Sequence, residues 1–354
     1  MVRQLRRIFH YDYLILKLIF ALEFEKFEKF EQTAISNKVC GKKIVFVGLT
    51  LHEICLSKDG HAKYGGMQPK EANYKKFVGE RQYMIPFKTR ISQPFQEGQT
   101  IHGVGMIKPD AKRIDINFHK GAGANVDLPL HLSIRFDEGK MVYNSYVNNV
   151  WGSKEQRLKN LFKPNTEMDI RIRIINNKYQ IFANRMDAGT FEQRTTLDGV
   201  DHVSISGDLI NLSLFHYGGR VFPIPYIAIA EVVPGKRLDI SLLPTGKRFN
   251  INLYNSNRQH ALQISVRFNE GTVVRNAMEN NDWGREEREG VIPIVKDEIA
   301  DITIINERYS FQIFFNGIRF TTFAHRGSPD DIRTLEIDGE CEIFSATVND
   351  AISG

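Results

Sequence analysis

The stretch Leu130-His-Leu-Ser-Ile-Arg-Phe-Asp-Glu-Gly139 recurs 132 residues later as Leu262-Gln-Ile-Ser-Val-Arg-Phe-Asn-Glu-Gly271. In both copies apolar and polar side chains alternate, which is the pattern of a β-strand with one buried face. The Asp-Glu-Gly and Asn-Glu-Gly sequences that close the copies are typical of hairpin turns. The stretch therefore predicts a strand followed by a hairpin, built twice in one chain.

Neighbouring segments repeat with the same or nearly the same spacing, so the repeat extends over most of the chain. The matching pairs are 113–117 with 248–252, 142–144 with 274–276, 151–152 with 283–284, and 179–184 with 311–316. Two domains are predicted, 83–222 and 223–352, and their short Pro/Gly-rich joint should keep them close together. Short alternating strands, regular turns and the lack of a strongly periodic helix predict an all-β class with antiparallel sandwiches.

Composition excludes several classes of protein. The chain has 354 residues, of which 42% are hydrophobic and 25% charged, as is ordinary for a soluble globular protein. The net charge is only +5, the two signs are interspersed, and nucleic acid is not an expected partner. Cys40, Cys55 and Cys341 match no zinc site or disulfide framework and favour a reducing compartment. No metal or other cofactor is expected.

Residues 1–82 have no counterpart in the repeat and are predicted to form an N-terminal extension, partly disordered or helical. Three arginines precede the apolar run 13–22, which resembles part of a secretory signal. Charged residues interrupt that pattern, and the run is shorter than a membrane span needs. An amphipathic helix or a poorly ordered arm is favoured, and a cleaved signal is the alternative. Residues 44–51 are a candidate strand, and 57–76 a polar linker.

The polar side of the strand 130–136 carries candidate binding residues. His131, Ser133 and Arg135 fall on the face opposite the apolar side chains, because successive residues of a strand alternate sides. The hairpin is expected to bring Asn144 of the next strand close to Arg135. For one strand alone, a solvated outer face would be the ordinary explanation.

The residues that follow favour a ligand site over a solvated face. Trp151, Glu155 and Arg157 add an indole ring, a carboxylate and a second guanidinium. Fixed Arg, Asn, His and Glu side chains supply the donors and acceptors that sugar hydroxyls need. An indole ring suits the apolar face of a pyranose. Burial of Trp151 under a loop is the alternative, although the adjacent Gly152 indicates a close backbone approach.

The motifs His-x-Ser-x-Arg, Val-x-Asn and Trp-Gly…Glu-x-Arg, in this order, resemble the galectins, which are β-galactoside-binding lectins with a jelly-roll sandwich fold. Two such domains in one chain resemble a tandem-repeat galectin of the invertebrate, nematode-like type. By this resemblance, the histidine and the first arginine contact the 4-hydroxyl of galactose, the asparagine its 6-hydroxyl, and the tryptophan its apolar face. The last glutamate and arginine reach the second sugar. The implied site of the first domain is His131, Ser133, Arg135, Asn144, Trp151, Glu155 and Arg157.

Both domains depart from the galectin pattern. Ser133 stands where the family has Asn, so one contact is lost or passes through water. Lys154 is an extra residue between Trp151 and Arg157, which leaves open whether Lys154 or its neighbours face the second sugar. Gln263 replaces the histidine, so the second domain either binds a different glycan or galactose only weakly, or Gln substitutes for His. The implied site of the second domain is Gln263, Ser265, Arg267, Asn276, Trp283, Glu286 and Arg288.

The resemblance implies a lectin that cross-links glycoproteins or glycolipids bearing β-galactosides through two sites. An enzyme is not expected, because glycosidases need two carboxylates facing each other across a cleft, and Glu155 and Glu286 each lie two residues from an arginine. The alternative is a structural or protein-interaction scaffold with one or both sugar sites vestigial. Galectins typically lack a signal peptide, so the expected location is the cytoplasm, the extracellular space reached by non-classical secretion, or both.

Overall fold

The computed structural model of the chain describes residues 42–47, 50–56, 62–66, 74–91 and 95–351. All of the regular secondary structure in these residues is β-strand, which confirms the predicted all-β class. The chain divides into two compact units, Met1–Glu71 and Ala72–Gly354. Within the described ranges, no helix is long and apolar enough to cross a membrane.

In the first unit, β1 (Lys42–Val47), β2 (Thr50–Leu56) and β3 (Ala62–Gly66) form an antiparallel sheet in that order. The candidate strand 44–51 coincides with the end of β1 and the start of β2. The β-branched residues of 44–47 favour the extended conformation, and β3 extends strand structure into the predicted linker. The apolar run 13–22 lies outside the described residues.

The first repeat contains twelve strands in two sheets. These strands are β4 (Phe87–Arg90), β5 (Thr100–Ile107), β6 (Arg113–His119), β7 (Leu128–Arg135), β8 (Lys140–Val147), β9 (Val150–Trp151), β10 (Gln156–Lys159), β11 (Glu167–Ile175), β12 (Lys178–Ala183), β13 (Met186–Glu192), β14 (His202–Gly207) and β15 (Leu209–Gly218). One sheet has the order β10-β8-β7-β6-β14-β4, with β9 paired to β8. The other has the order β13-β12-β11-β5-β15. The apolar faces of the two sheets enclose one core.

The second repeat has the same order of paired segments as the first, but some of these segments are joined into longer strands. Its strands are β16 (Tyr226–Ile229), β17 (Lys236–Tyr254), β18 (His260–Arg267), β19 (Thr272–Asn276), β20 (Met278–Glu279), β21 (Asp282–Trp283), β22 (Ala300–Asn306), β23 (Ser310–Phe315), β24 (Ile318–Ala324) and β25 (Thr334–Asp350). The first half of β17 pairs with β22 and its second half with β18, so one strand serves both sheets. β25 follows β17 through both halves. In the first repeat, two consecutive strands, β5 and β6, take the place of β17, and β14 and β15 take the place of β25.

Each repeat buries its own core, and β7 shows how the alternation of its sequence does this. Leu130, Leu132 and Ile134 have no solvent-exposed surface, as the pattern predicts. Fully burying one such side chain contributes about 1.5–3 kcal/mol. Since those residues fix one face of β7 against the core, the other face must present His131 and Arg135 to the outside of the sandwich.

The two repeats pack directly against each other. Phe182 of the first meets Phe344 of the second edge to face, with ring centroids 5.5 Å apart, inside a small apolar cluster. Beside it Arg171, whose side chain is 2% exposed, donates hydrogen bonds to Asp169 of its own repeat and to Asp301 of the other. Arg171 also donates to Ser241 at 2.8 Å. A buried guanidinium is thus satisfied only when the repeats are in contact.

We expect Asp301→Asn to destabilise the contact between the repeats by about 3 kcal/mol, because it removes one carboxylate from a buried ion pair. Burial by itself would raise the pKa of Asp301, but the charge and hydrogen bonds of Arg171 outweigh it and hold the value at about 2. The stabilisation is therefore present above the ordinary carboxyl pKa and is lost as pH falls toward 2.

Differential scanning calorimetry at pH 7 checks this expectation. Asp350→Asn is the matched control, because it makes the same chemical change in an ion pair with Lys236 in which both side chains are exposed. The control should change stability by less than about 1 kcal/mol. Equal shifts for the two variants would contradict the role given to the buried pair.

Candidate functional site

The predicted site residues of the first repeat gather on the outer face of β7 and β8 and in the loop after β9. Within the hairpin, Arg135 pairs with Lys140 and His131 pairs with Asn144. The expectation that Asn144 lies close to Arg135 is therefore wrong. The alternation of side chains predicts the face, whereas the turn fixes the register, and a turn that pairs Arg135 with Lys140 puts Asn144 four residues further along.

We call the surface formed by His131, Ser133, Arg135, Asn144 and Trp151 the first groove, and its counterpart in the second repeat the second groove. Ser133 is buried in the first groove and supports its neighbour Arg135. Its side chain has no exposed surface, and its Oγ accepts a hydrogen bond from Arg135 Nε at 3.4 Å. In the second repeat, Ser265 is equally buried and accepts from Arg267 Nε at 3.1 Å. The serine that replaces the family's asparagine thus orients a guanidinium in both grooves.

His131 and Trp151 form the aromatic side of the groove. Their ring centroids lie 4.9 Å apart, and Tyr146 contacts the indole from another side at 5.1 Å. Trp151 remains 48% exposed, so it is not buried under a loop. His131 Nδ1 lies 2.6 Å from Asn117 Oδ1 on the neighbouring strand β6. An imidazole fixed in this way presents its other nitrogen, Nε2, away from β6.

Two arginines and two glutamates form the opposite side of the groove. Glu138 of the hairpin turn accepts from Arg135 Nη1 at 2.9 Å and from Arg157 Nη1 at 2.6 Å. Glu155 accepts from Arg157 Nε at 2.6 Å. Hydrogen bonds and charge from Arg135 and then Arg157 lower the pKa of Glu138. Both carboxylates thus accept hydrogen bonds from the guanidiniums.

The loop after β9 is held by Asn144 and Arg194. Asn144 Nδ2 donates to the Gly152 carbonyl at 3.0 Å, while its Oδ1 accepts from Arg194 Nη1 at 3.0 Å. Arg194 also donates to the Lys154 carbonyl. A Cβ atom on Gly152 would lie within 2.6 Å of both side chains, so the close backbone approach predicted from this glycine is confirmed.

The extra residue of this loop is Ser153, not Lys154. In the second repeat, Arg326 Nη2 donates to the Arg285 carbonyl as Arg194 donates to that of Lys154. Lys154 therefore corresponds to Arg285, and its side chain occupies a position that both loops contain. Residue counts show that the first loop is one residue longer, but they cannot locate the extra residue within it.

The second repeat brings its predicted residues together in the same arrangement. Gln263 Nε2 donates to Asn252 Oδ1 at 3.0 Å, in the place of the contact between His131 and Asn117. Trp283 is 48% exposed and stacks obliquely on His260 at 4.6 Å. The remaining contacts are Asn276 to Gly284, Arg326 to Asn276, Glu286 to Arg288, and Glu270 to both Arg267 and Arg288.

Three residues of the first groove, Asn117, Glu138 and Arg194, lie outside the site that the sequence predicts. Each holds a predicted site residue in place through a hydrogen bond. The repeat carries the signal that would have found them, because identical residues recur 132 or 135 positions later as Asn252, Glu270 and Arg326. Their counterparts make equivalent contacts in the second groove.

Comparison with known proteins gives consistent matches over both repeats. The family profile of galactoside-binding lectins matches residues 86–215 and 226–348. A 32 kDa beta-galactoside-binding lectin of Haemonchus contortus is 41% identical, over 73% of this chain and 93% of that protein. One of the same name from Caenorhabditis elegans is 39% identical, over 74% and 96%. The crystal structure of C. elegans galectin LEC-6 is 30% identical, covering 36% of this chain and 94% of its own, with a TM-score of 0.35.

We expect the fluorescence of Trp151 to fall as pH decreases through the pKa of His131, because an imidazolium 4.9 Å from an indole quenches it. Burial lowers this pKa, and Arg113 and Arg135 act in the same direction, against Asp115 and Glu155. The midpoint should therefore lie below the ordinary value of about 6.5.

The measurement uses Trp283→Phe, which leaves one of the two tryptophans of the chain. Adding His131→Gln, which introduces the residue of the second groove, should remove the step while leaving the fold intact. A midpoint at or above pH 6.5 would show that burial does not control this histidine.

Proposed function

Because the chain belongs to the galactoside-binding lectins, we propose that it is a lectin that binds β-galactoside glycans through two grooves, without catalysis. The observation that carries the proposal is a half-exposed tryptophan in each repeat, bordered by an arginine that a glutamate holds in place. These pairs are Arg157 with Glu155 and Arg288 with Glu286. The lectins of H. contortus and C. elegans described above carry beta-galactoside binding in their names. A rigid polar rim beside an exposed indole ring suits a sugar with one apolar face.

In the first groove, we assign galactose to the space between His131, Arg135 and Trp151. Asn144 uses one hydrogen of Nδ2 for the Gly152 carbonyl and keeps the other for a sugar hydroxyl. Arg157, held by Glu155, lies further along for the second sugar. Ser133 acts through Arg135. The second groove repeats these roles with Trp283, Arg267, Asn276 and Arg288.

The carboxylates of the groove argue for binding without hydrolysis. A glycosidase needs one carboxyl that keeps its proton to serve as general acid. Glu138 has a lowered pKa because Arg135 and Arg157 donate hydrogen bonds to it. Glu270 of the second groove has a lowered pKa because Arg288 and Arg267 surround it. Ionised carboxylates between guanidiniums orient these donors toward a ligand.

Two grooves in one chain fit a protein that bridges glycoproteins or glycolipids. One shallow sugar site buries few atoms and binds weakly, and a second site on the same chain raises avidity on a multivalent surface. We propose that the protein acts in the cytoplasm, in the extracellular space reached by non-classical secretion, or in both. A scaffold with vestigial grooves is the competing function, favoured by no contact described above.

The grooves differ where they run past galactose toward the edge strands. At the level of His131, the first groove continues over Ser204 to Lys88 on β4. At the level of Gln263, the second continues over Glu336 to Ile227 on β16. From the first groove to the second, Ile227 replaces the exposed Lys88, and Glu336 replaces Ser204. We therefore propose that the first groove accepts an anionic extension of the glycan and that the second favours a neutral one.

We expect Trp151→Ala and Trp283→Ala each to abolish one of two lactose-binding events in the full chain and to leave the fold unchanged, because both rings are half exposed. Isothermal titration calorimetry counts the sites, and circular dichroism checks the fold. The double variant should bind no lactose and should fail to agglutinate galactoside-coated beads.

The scaffold function gives the opposite results. If the wild-type chain shows no heat with lactose and is not retained on a lactose matrix, both the galactoside assignment and cross-linking through sugar are wrong. If agglutination of the beads survives in the double tryptophan variant, the contacts with the beads do not pass through the grooves.

We expect a lactose sulfated on its galactose to bind the first groove about threefold better than lactose, an effect that added salt should weaken. The measurement compares the two ligands in Trp283→Ala, with and without Lys88→Ile. Lys178→Ile is the control, because β12 belongs to the opposite sheet. No change on Lys88→Ile would contradict the charge argument.

A further inference from the structure

A chain of directed hydrogen bonds ends at Gln263 in the second groove. Asp338 Oδ2 accepts from Asn252 Nδ2 at 2.9 Å, and Asn252 Oδ1 accepts from Gln263 Nε2 at 3.0 Å. A carboxylate only accepts hydrogen bonds, so Asp338 fixes which end of the Asn252 amide faces it. Asn252 must then present its oxygen to Gln263. Gln263 is thereby left with its amide oxygen, Oε1, directed away from the sheet.

The first groove reaches the same polarity with different residues. Asn117 Oδ1 lies 2.6 Å from His131 Nδ1, so this nitrogen carries the proton and Nε2 is left as an acceptor. Ser206 occupies the strand position of Asp338 there, opposite Asp115 rather than Asn250. The carboxylate has therefore changed strands between the repeats. In both grooves an asparagine carbonyl takes up a donor, and an acceptor remains for the ligand.

We propose that Asp338 is a positioning residue that aims the amide oxygen of Gln263 into the second groove, so that this groove binds the same galactoside hydroxyl that His131 serves in the first. The inference rests on the proposed function, because it takes β-galactosides as the ligands of both grooves. Gln263 then replaces the histidine functionally, because Asn252 and Asp338 orient its amide through hydrogen bonds. The ligand class of the second groove is a β-galactoside with a donating 4-hydroxyl, the group that the galectin resemblance gives to this position.

The test uses the full chain with Trp151→Ala, so that only the second groove binds sugar. Calorimetry compares lactose with a lactose that lacks the 4-hydroxyl of galactose. This groove should prefer lactose by about tenfold, and Asp338→Asn should remove most of that preference. An amide at position 338 both donates and accepts, so it no longer dictates the direction of Asn252 and Gln263.

A second variant separates positioning from general support of the fold. Adding Asn252→Asp to Asp338→Asn places a carboxylate directly beside Gln263, where it again accepts from Nε2. We expect this pair to recover lactose affinity and preference to within about threefold of the starting chain. A purely structural role for Asp338 would not be restored by moving the charge one residue along the network, and thermal unfolding checks that all variants fold.

Each outcome decides one claim. Unchanged lactose preference in Asp338→Asn, or a loss that Asn252→Asp does not restore, overturns the positioning role. If Trp283→Ala binds lactose and Trp151→Ala does not, the second groove is not a galactoside site, and the proposed function stands on the first groove alone. If neither binds, the proposed function itself is wrong.

Discussion

Polar side chains that are buried on the outer face of a strand constrain the rest of each groove. His131 is only 7% exposed and Ser133 has no exposed surface, although both point away from the core. A buried polar group without a partner costs about 1–3 kcal/mol, so each of these side chains needs one. Asn117 supplies it for the histidine, and Arg135 for the serine. The same bonds hold the groove in its binding geometry before a ligand arrives, which reduces the entropy lost on binding.

Much of the fold follows from the sequence, because the repeat and the strand alternation are local patterns. The alternation identified the buried face of β7, and the repeat located the counterpart of each site residue in the second domain. Register is different, because it depends on the turn, and the turn puts Asn144 opposite His131 rather than beside Arg135. The supporting residue Arg194 acts across 50 positions of chain, a separation that strand periodicity cannot detect.

The contact between the repeats could not be predicted from alternation. The segment 170–174 reads apolar, polar, apolar, and its arginines would ordinarily face solvent. Instead Arg171 is buried, because the other repeat supplies Asp301 and Ser241. Desolvating a guanidinium in this way is tolerated only with several partners in good geometry. The sequence shows the arginine, but it does not show which surface of the second repeat meets it.

Burial of Arg171 between the repeats also bears on how two sugar sites act together. The ion network and the contact of Phe182 with Phe344 make Ala72–Gly354 one compact unit. Flexibly linked sites search for a second ligand over a range of distances, and their effective concentration follows linker length. Rigidly joined sites lose little entropy when the spacing of glycans matches theirs, and they gain no avidity when it does not. Cross-linking by this chain should therefore depend on the spacing of glycans, which the buried interface sets, as much as on the sugar chemistry of each groove.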